Sequence, residues 1–493
     1  MCGIIAVING TLTQAHVDAL KHRGPDQYGI YENDKISMGH TRLAIVNPHT
    51  GSQPIITDDW IVTVNGEIYN APRSKHTDCM YIVDTLRMHG MLAPKYLDGV
   101  FSFVAYNAKT DDIIVARDPI GVTPLYWGFS GESIWIASEL KTLTHCEVVD
   151  HFPPGHVFQM PEVLARYTDA YIYPTMRTDE EKIVDLTYRA CQKRLMCDVP
   201  WGVFLSGGLD SSIIASVVVK MCTPPEGYPT VHTFSVGLHD SPDLEVARKV
   251  AEELGTVHHE LIYTVDQGLE MIESTVHAVE TYDTTTIRAS VPMKLLANFV
   301  KRHGIKMVLS GEGADEIFAG YAYNKHAPSA EDLWSESVYK VENLFAFDCM
   351  RANKACMSEG VECRVPFLDR QLVDWAMNKV HPGQKMWTGQ EKRLLREAFV
   401  GIVPEVARTR TKAQFSDAVG SRWIQACRQL EPSEVEHYSA IFEHFFPDRK
   451  NCVVHDEESV ACSSNLASEW MDAKPDPSGS IMYKNKENEE KES

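Results

Sequence analysis

The chain has 493 residues, of which 47 are Lys or Arg and 68 are Asp or Glu, so its formal net charge is −21. This length predicts two or three domains at about 150 residues each, and the acidic balance argues against nucleic-acid binding by a basic face. The 12 cysteines include no close Cys-x-x-Cys pair, which argues against zinc ribbons, iron–sulfur clusters and a disulfide scaffold.

Two further absences bear on location. No apolar run approaches the roughly 18 residues of a membrane span. Residues 1–8 are apolar but lack the basic region and the cleavage site of a signal peptide. We therefore expect a cytoplasmic protein with reduced thiols and no membrane partner.

The N-terminal apolar segment predicts a buried strand directly after Cys2. Removal of Met1 is normally permitted before a small residue. It would give Cys2 an α-amine, with an unperturbed pKa of about 7.7 to 8.0, that can act as the base for its own thiol. For a lone cysteine, a buried structural role is the alternative.

Three strings that follow give Cys2 a context. They are His-Arg-Gly-Pro-Asp at 22–26, Gly-His-Thr-Arg-Leu-Ala-Ile-Val at 39–46 and Val-Asn-Gly-Glu-Ile-Tyr-Asn at 64–70. Singly, each is explained by a turn or by a strand with one solvated face. In this order with Cys2, they resemble the glutaminase domain of class II glutamine amidotransferases. The resemblance implies the four-layer αββα fold of N-terminal nucleophile enzymes.

The resemblance also assigns roles in glutamine hydrolysis. The Cys2 thiolate would attack the amide carbon, and the Asn65 side chain and the Gly66 N–H would stabilise the resulting oxyanion. Further expected glutamine contacts lie on two segments, 42–46 and 65–67, and at one later acid. These contacts are Arg42, Leu43, Ala44, Ile45, Val46, Asn65, Gly66, Glu67 and Asp78.

Charged side chains would hold the two charged α-groups of glutamine. Arg42 can bind the α-carboxylate as a bidentate fork, and Glu67 and Asp78 can receive the α-ammonium. A salt-bridged arginine is the alternative for Arg42, and a solvated acid for Asp78. Only residues 71–76 separate Asn70 from the segment of Asp78, where relatives carry a longer loop, so the sequence departs from the family at the rim of this site.

Short alternating strands continue to about residue 137 and favour a two-sheet layered domain. Arg117 and Asp118 suggest a structural ion pair between domains. The turn signal at 153–155 and the irregular stretch after it indicate a boundary. We predict a glutaminase domain at 2–165 and a linker at 166–178.

The second half begins with a predicted amphipathic helix from Asp179 and then alternates strands with helices. The strands are predicted at 201–204, 231–236, 258–263 and 305–309. This pattern favours a doubly wound parallel sheet that binds ligands at the carboxyl ends of its strands. We predict this domain at 179–473, followed at 474–493 by a polar tail that cannot bury a core and should be disordered.

The string Leu-Ser-Gly-Gly-Leu-Asp-Ser-Ser at 205–212 lies between a predicted strand and a predicted helix. Glycines, hydroxyls and a helix N-terminus together favour an anion, although an ordinary Gly-rich turn is the alternative. The string lacks the Gly-Lys-Ser/Thr ending of a Walker A motif. It resembles the pyrophosphate loop of the ATP pyrophosphatases, which release AMP and pyrophosphate from ATP.

A second string, Ser-Gly-Glu-Gly-Ala-Asp-Glu at 310–316, also has small residues that let the backbone approach a nucleotide, together with clustered acids that favour a metal ion. An acidic surface turn is the alternative. Asp210 and Asp315 are the predicted Mg²⁺ ligands, and Glu312 would lie near the adenylated intermediate. Lys392 would offset phosphate charge, unless it is a helix-surface lysine. The predicted ATP contacts are Leu205, Ser206, Gly207, Gly208, Asp210, Ser211, Val236, Ser310 and Gly311.

The strings at 280–290, 362–369 and 459–464 resemble those of the glutamine-dependent asparagine synthetases, and the likeness extends from Cys2 to about residue 473. It implies glutamine, aspartate and Mg²⁺-ATP as ligands, a thioester on Cys2, a β-aspartyl-AMP intermediate and a homodimer. Because ammonia must be kept from water, we predict an internal channel between the sites. Arg288 and Arg364 would anchor aspartate or stabilise the fold.

Two other interpretations use the same motifs. β-Lactam synthetases resemble this architecture, but they do not use glutamine, so Cys2 argues against them. A pseudoenzyme that senses nucleotides would explain the short loop at 71–76. The presence of Cys2, Asp210, Glu312, Asp315 and Lys392 argues against it.

Overall fold

The computed structural model describes residues 1–72, 77–161, 163–222, 230–386, 390–410, 419–454 and 462–470. The predicted tail at 474–493, positions 73–76 of the short loop and positions 459–461 of the third asparagine-synthetase string lie outside the described residues. In the ranges described, no helix combines the length and the apolar character needed to cross a membrane.

The first half contains two antiparallel sheets, each of six strands among the described residues. The strands of the first sheet are β1 (Gly3–Ile8), β2 (Gln27–Glu32), β3 (Ile36–Arg42), β8 (Tyr126–Ser130), β9 (Ser133–Ala137) and β10 (Val148–His151). Those of the second sheet are β4 (Ile55–Ile56), β5 (Trp60–Ile68), β6 (Gly99–Asn107), β7 (Ile113–Arg117), β11 (His156–Gln159) and β12 (Val163–Arg166). Their orders are β10-β8-β9-β1-β3-β2 and β12-β11-β7-β6-β5-β4.

These sheets stack face to face and are covered by helices on their outer sides. Ile4 and Met38 of the first sheet pack with Val104 and Val115 of the second in one apolar core. Helix α1 (Gln14–Asp18) lies against β1 and β3, and α2 (Met80–His89) packs on β5. The predicted αββα layering is confirmed. Strand β1 is continuously apolar because both of its faces are covered.

The second half is built on a parallel sheet that has five strands among the described residues. They are β13 (Trp201–Phe204), β14 (His232–Gly237), β15 (Val257–Ile262), β16 (Met307–Leu309) and β17 (Glu362–Arg364). The order is β15-β14-β13-β16-β17, so the direction of winding reverses between β13 and β16. The doubly wound architecture is confirmed, and ligands bind such sheets at the reversal point.

Helices surround this sheet and follow it along the chain. Those before and between its strands are α3 (Lys182–Arg194), α4 (Leu209–Cys222), α5 (Pro242–Leu254), α6 (Val265–Glu270), α7 (Ile272–Val279), α8 (Thr284–Arg302), α9 (Ala314–Ile317), α10 (Ala330–Asn343) and α11 (Asp348–Met357). Those after it are α12 (Arg370–Asn378), α13 (Pro382–Lys385), α14 (Arg393–Ala398), α15 (Glu405–Arg408), α16 (Ser421–Arg428), α17 (Glu434–Phe445) and α18 (Asn465–Ser468).

Two local predictions need correction. The helix predicted from Asp179 begins at Lys182, because the Asp179 carboxylate accepts the N–H of Glu181 just before the first turn. The prediction that Arg117 and Asp118 form an ion pair between the domains is wrong. The Arg117 guanidinium donates to the carbonyls of Thr123, Phe152 and Gly121, and the Asp118 carboxylate accepts main-chain N–H groups at 120–123. The Arg117 guanidinium also contacts the second half, because its central carbon lies 5.2 Å from the ring centroid of Phe345.

Candidate active sites

Cys2 lies at the start of β1 and is fixed through its main chain. Its N–H donates to Asn65 Oδ1 at 2.8 Å, and its carbonyl accepts from Arg23 Nε at 2.8 Å. Burial raises the pKa of the Cys2 thiol, while a hydrogen bond from the Leu43 main chain acts in the opposite direction. A thiol in this environment needs a base before it can attack a carbonyl carbon.

The Asn65 side chain offers a donor beside Cys2. Its Oδ1 is bonded to Cys2, and its buried Nδ2 has no hydrogen-bond partner among the described residues. A buried donor without a partner costs free energy unless something binds there. Asn65 and the adjacent Gly66 belong to the long central strand β5, which fixes their position. The arrangement suits an oxyanion that forms next to Cys2.

Arg42 organises the turn that contains the predicted glutamine contacts. Its guanidinium donates to Gln27 Oε1 at 2.9 Å and to the carbonyls of Val46, Asn47 and Pro48 at 3.2, 2.9 and 3.2 Å. The fork predicted to bind a carboxylate is thus engaged with the protein. A bound carboxylate must share or replace these bonds. Within the same turn, the Ala44 N–H donates to Asp26 Oδ2 at 2.7 Å.

Two carboxyl groups belong to this site: Glu67 is close enough to act electrostatically on the Cys2 thiol, and Asp78 is close enough to act on Glu67. Glu67 Oε2 is 3.2 Å from Arg364 Nη2, so a residue of the second half reaches into this site. Asp78 Oδ2 accepts the N–H of Ile68 at 2.7 Å. Burial, assisted by the negative charge of Glu67, raises the pKa of Asp78 to about 7.

A second site occupies the reversal point of the parallel sheet. The loops after β13 and β16 line a cleft together with α8 residues between Thr285 and Leu296, part of α11 and Lys392. Every predicted ATP contact except Gly207 lines this cleft: Leu205, Ser206, Gly208, Asp210, Ser211, Val236, Ser310 and Gly311. The predicted Asp315 and Glu312 do so as well.

Glycines let the two loops meet. Gly207 has φ +74°, and a Cβ there would lie 2.6 Å from the Ala247 nitrogen of α5, so this residue makes the turn and packs away from the cleft. A Cβ on Gly311 would lie 2.7 Å from the Ser211 nitrogen. The second loop therefore touches the first, and a side chain at Gly311 would separate them.

Lys392 joins the acids of the two loops. Its Nζ lies 2.5 Å from Asp210 Oδ2 and 2.6 Å from Asp315 Oδ1, and its side chain is 1 % exposed. Its backbone is in the left-handed region, with φ +53°, which is costly for a non-glycine residue and recurs at functional sites. The two carboxylates thus converge on one cationic position. Among the residues described, no group of three or more His, Cys, Asp or Glu side chains is arranged to hold a metal ion.

Glu312 faces the cleft from the second loop. Its carboxylate receives both terminal nitrogens of Arg351, at 2.8 and 3.1 Å, and Arg351 also contacts Asp348 Oδ1 at 2.6 Å. Burial raises the pKa of Glu312, and Arg351 opposes that shift.

A small cavity leads from Glu312 towards the first half. Glu312, Val122, Ala352 and Asn353 are among its lining residues. Asn353 Oδ1 accepts from Arg23 Nη2 at 2.8 Å, and Arg23 in turn contacts the Cys2 carbonyl. The cavity therefore adjoins residues that reach both sites.

Arg288 and Arg364, which were predicted to anchor aspartate or stabilise the fold, are not among the described residues that line the cleft. Arg288 is buried and forms a two-pronged ion pair with Glu434, at 2.7 and 2.5 Å, which favours a role in the fold. Arg364 faces Glu67 in the other site. Sequence reasoning missed Arg351 and Arg410, which line the cleft. The basic run at 408–412, unusual in an acidic chain, was the available signal for Arg410.

Comparison with known proteins covers most of the chain. The family model for a glutamine amidotransferase domain matches residues 1–157, and that for asparagine synthase matches 182–337 and 326–446. Asparagine synthetase [glutamine-hydrolyzing] 1 of Lotus japonicus is 40% identical over 545 residues, with 97% of this chain and 93% of that protein covered. The type 3 enzyme of Arabidopsis thaliana is 40% identical, with coverage of 97% and 94%, and the type 1 enzyme of Saccharomyces cerevisiae is 41% identical, with coverage of 83% and 82%.

Proposed function

The chain belongs to the family of glutamine-hydrolysing asparagine synthetases, and we propose that it makes asparagine from aspartate, ATP and the amide nitrogen of glutamine. The observation that carries this proposal is the pairing, in one chain, of Cys2 beside the unsatisfied Asn65 amide with a two-loop cleft bridged by Lys392. Each half supplies what the other lacks. One can release ammonia, and the other can activate a carboxylate.

Glutamine hydrolysis is assigned to the first site. After removal of Met1, the Cys2 α-amine takes the thiol proton, and the thiolate sulfur bonds to the amide carbon. Asn65 Nδ2 and the Gly66 N–H stabilise the oxyanion. The protonated α-amine passes that proton to the amide nitrogen, the C–N bond breaks, and ammonia leaves. Water then attacks the thioester carbon, which releases glutamate and restores the Cys2 thiol. Arg42, with the 43–46 turn, holds the α-carboxylate, and Glu67 and Asp78 hold the α-ammonium.

Aspartate activation is assigned to the cleft. An oxygen of the aspartate β-carboxylate bonds to the α-phosphorus of ATP, and pyrophosphate leaves. Ammonia then bonds to the activated carbon, and AMP leaves with the electron pair of the C–O bond. Ser206, Gly208 and Ser211 are suited to the phosphates because these small residues line the cleft where the loop after β13 leads into α4. Lys392 offsets the negative charge that develops on them.

Asp210 and Asp315 are the residues that would hold Mg²⁺. Their carboxylates already converge on a cation, the Lys392 ammonium, and Mg²⁺ is commonly bound by one or two carboxylates together with substrate phosphates. The ion would supply charge neutralisation of the polyphosphate. Glu312, held by Arg351, faces the position where the adenylated intermediate would lie.

The small cavity lined by Val122, Ala352 and Asn353 supports a route for ammonia between the sites. Such a route keeps ammonia unprotonated and out of bulk water.

The extents of the two family matches support the predicted domain limits of 2–165, 166–178 and 179–473. The first match ends at residue 157, and the second begins at residue 182.

We also propose a homodimer in the cytoplasm. Exposed Tyr28, Ile30 and Ile56 lie on the edge strands of the two stacked sheets, where a second copy could cover them. The molar mass of the purified protein in solution tests the dimer.

All 12 cysteines are free, which is consistent with a reducing compartment such as the cytoplasm.

The decisive assay offers Mg²⁺-ATP and aspartate with either glutamine or ammonium and measures asparagine, AMP and pyrophosphate. We expect all three products with both nitrogen sources, and glutamate with glutamine. Absence of pyrophosphate with either source would refute the enzyme assignment. Pyrophosphate formed only with another carboxylic acid would refute aspartate as the substrate.

A further inference from the structure

Arg364 contacts both sites. It is the last residue of β17, and its carbonyl accepts the N–H of Ser310, the first residue of the second loop, at 2.9 Å. Its Nη2 lies 3.2 Å from Glu67 Oε2 beside Cys2. Main chain and side chain of one residue thus join the cleft loop to the glutamine site.

The side chain of Arg364 is clamped along its length. Nε donates to Glu362 Oε1 at 2.6 Å, and Nη1 donates to the carbonyls of Arg194 and Met196 at 2.8 and 2.6 Å. The residue is 2 % exposed. Because packed interiors transmit displacement rather than absorb it, a shift of the guanidinium must move either the β17 main chain or its partners.

A bound glutamine would change the forces on this guanidinium. In the proposed site, the α-ammonium of glutamine approaches Glu67, whose carboxylate already faces Arg364. Two cations then share one carboxylate in a buried environment, where their repulsion is only weakly screened. The other nitrogens of Arg364 already lie 2.6 to 2.8 Å from their acceptors, so the side chain has little room to move alone. The changed force therefore acts on the β17 main chain, whose Arg364 carbonyl accepts the N–H of Ser310.

We propose that Arg364 is a positioning residue that couples the two sites. Glutamine occupancy tightens the main-chain bond between Arg364 and Ser310 and thereby orders the second loop for the nucleotide. By thermodynamic reciprocity, nucleotide and aspartate in the cleft change the affinity for glutamine by the same factor. This inference rests on the proposed function, because it uses both ligand assignments.

The first test measures the dissociation constant of glutamine by titration calorimetry on Cys2→Ala protein, which binds without turnover. Titrations are made with and without aspartate plus α,β-methylene-ATP, which cannot release pyrophosphate. We expect the dissociation constant to change about fivefold or more on this background. In the Cys2→Ala, Arg364→Gln protein the change should disappear, and Arg364→Lys, which keeps the charge but not the fork, should retain part of it.

Glu342→Gln is the matched control. Glu342 also pairs with an arginine across the two halves, Arg166 at 3.1 Å, but both side chains are exposed and neither lines the cleft among the described residues. It should leave the ratio of dissociation constants unchanged. A ratio of one in the Cys2→Ala background, or an unaltered ratio in the Arg364→Gln variant, would overturn the proposal.

A second measurement covers the case in which Arg364→Gln does not fold. Hydrogen exchange of Cys2→Ala protein is followed in peptides that span 307–316, with and without glutamine. We expect exchange at this segment to slow about threefold or more when glutamine binds. Unchanged exchange would refute the coupling. Failure of the unmutated enzyme to form glutamate or pyrophosphate would instead refute the proposed function.

Discussion

The ammonium of Lys392 lies 2.5 Å from the carboxylate of Asp210, although 182 residues separate them in the chain. Asp210 follows β13, the first strand of the parallel sheet along the chain. Lys392 precedes α14, which comes after β17, the last strand of that sheet. The pair therefore depends on the complete fold of the second half. It also holds a cation at the point where the phosphates of ATP are proposed to bind.

Replacement of Lys392 by Met should remove carboxylate activation and spare glutamine hydrolysis. Loss of one group that stabilises transition-state charge typically lowers kcat about 10²- to 10³-fold. Pyrophosphate release should fall by this amount with both glutamine and ammonium, while glutamate release persists. Lys249→Met, which removes a surface lysine paired with Glu245, is the control and should leave pyrophosphate release unchanged. Equal rates in the two variants would contradict the assigned role.

Cys2→Ala should separate the two nitrogen sources. Without the thiol no thioester can form, so glutamate release and glutamine-dependent asparagine synthesis should be lost. Ammonium enters after that step, and asparagine formation from ammonium should continue at close to its original rate. Loss of synthesis from both sources, in a protein with unchanged thermal stability, would contradict two independent centres.

Asn65→Ala removes the buried donor beside Cys2. We expect kcat for glutamate release to fall about 10²- to 10³-fold with a smaller change in KM, because the lost interaction forms mainly in the transition state. Asn70→Ala is the control, since Asn70 contacts the main chain at Tyr96 and Asp98 instead. A rise in KM alone for Asn65→Ala would assign that residue to ground-state binding.

Glutamine affinity should depend on the protonation of Asp78, whose pKa is raised to about 7 by burial and by Glu67. Below that pH the carboxyl is neutral and attracts the α-ammonium less, so affinity should fall as the pH decreases. For a group with this pKa, KM should rise about fivefold between pH 7 and pH 6, in proportion to the lost ionised fraction. Asp78→Asn should have a high KM with little change over this interval. A flat profile in the original enzyme would exclude Asp78 as an ionised contact.

Ala352→Leu should obstruct the cavity between the sites. Glutamate should still form, but less of the ammonia would reach the cleft, so the ratio of glutamate to asparagine should rise well above its original value. Synthesis from external ammonium should persist. Ala352→Ser, which keeps the cavity open, is the comparison. An unchanged ratio in Ala352→Leu would argue against this cavity as the route.

The local predictions succeeded where neighbours in sequence determine the structure. The strand at Trp201–Phe204 coincides with its prediction, because a short apolar run between a turn and a Gly-rich loop leaves few alternatives. The loop after this strand and the loop after β16 were expected at the same edge of the sheet, because parallel strands present their carboxyl ends together. The alternation of strands and helices was sufficient for this inference.

The partners of buried charges were not predictable in the same way. Arg117 was predicted to form an interdomain ion pair, yet it binds carbonyls. For Arg288 the sequence left a role at aspartate or in the fold open, and its partner is Glu434, 146 residues away. Such partners are determined by how the chain packs in three dimensions, and the spacing of residues in the sequence does not indicate that packing. Likewise Gly207 belongs to the predicted motif but faces α5, because the turn it makes directs it away from the cleft.

The position of Met1 has a consequence for biosynthesis. Its side chain and amino group are buried, with the amino group against Glu362 and the sulfur 2.9 Å from Asn353 Nδ2. Both partners are made about 350 residues later than Met1, a delay on the order of 20 to 70 s at ordinary rates of translation. If Cys2 acts through its own amine, an aminopeptidase must remove Met1 within that interval. A molecule that enclosed Met1 before its removal would keep the Cys2 α-amine acylated, and it would form asparagine from ammonium but not from glutamine.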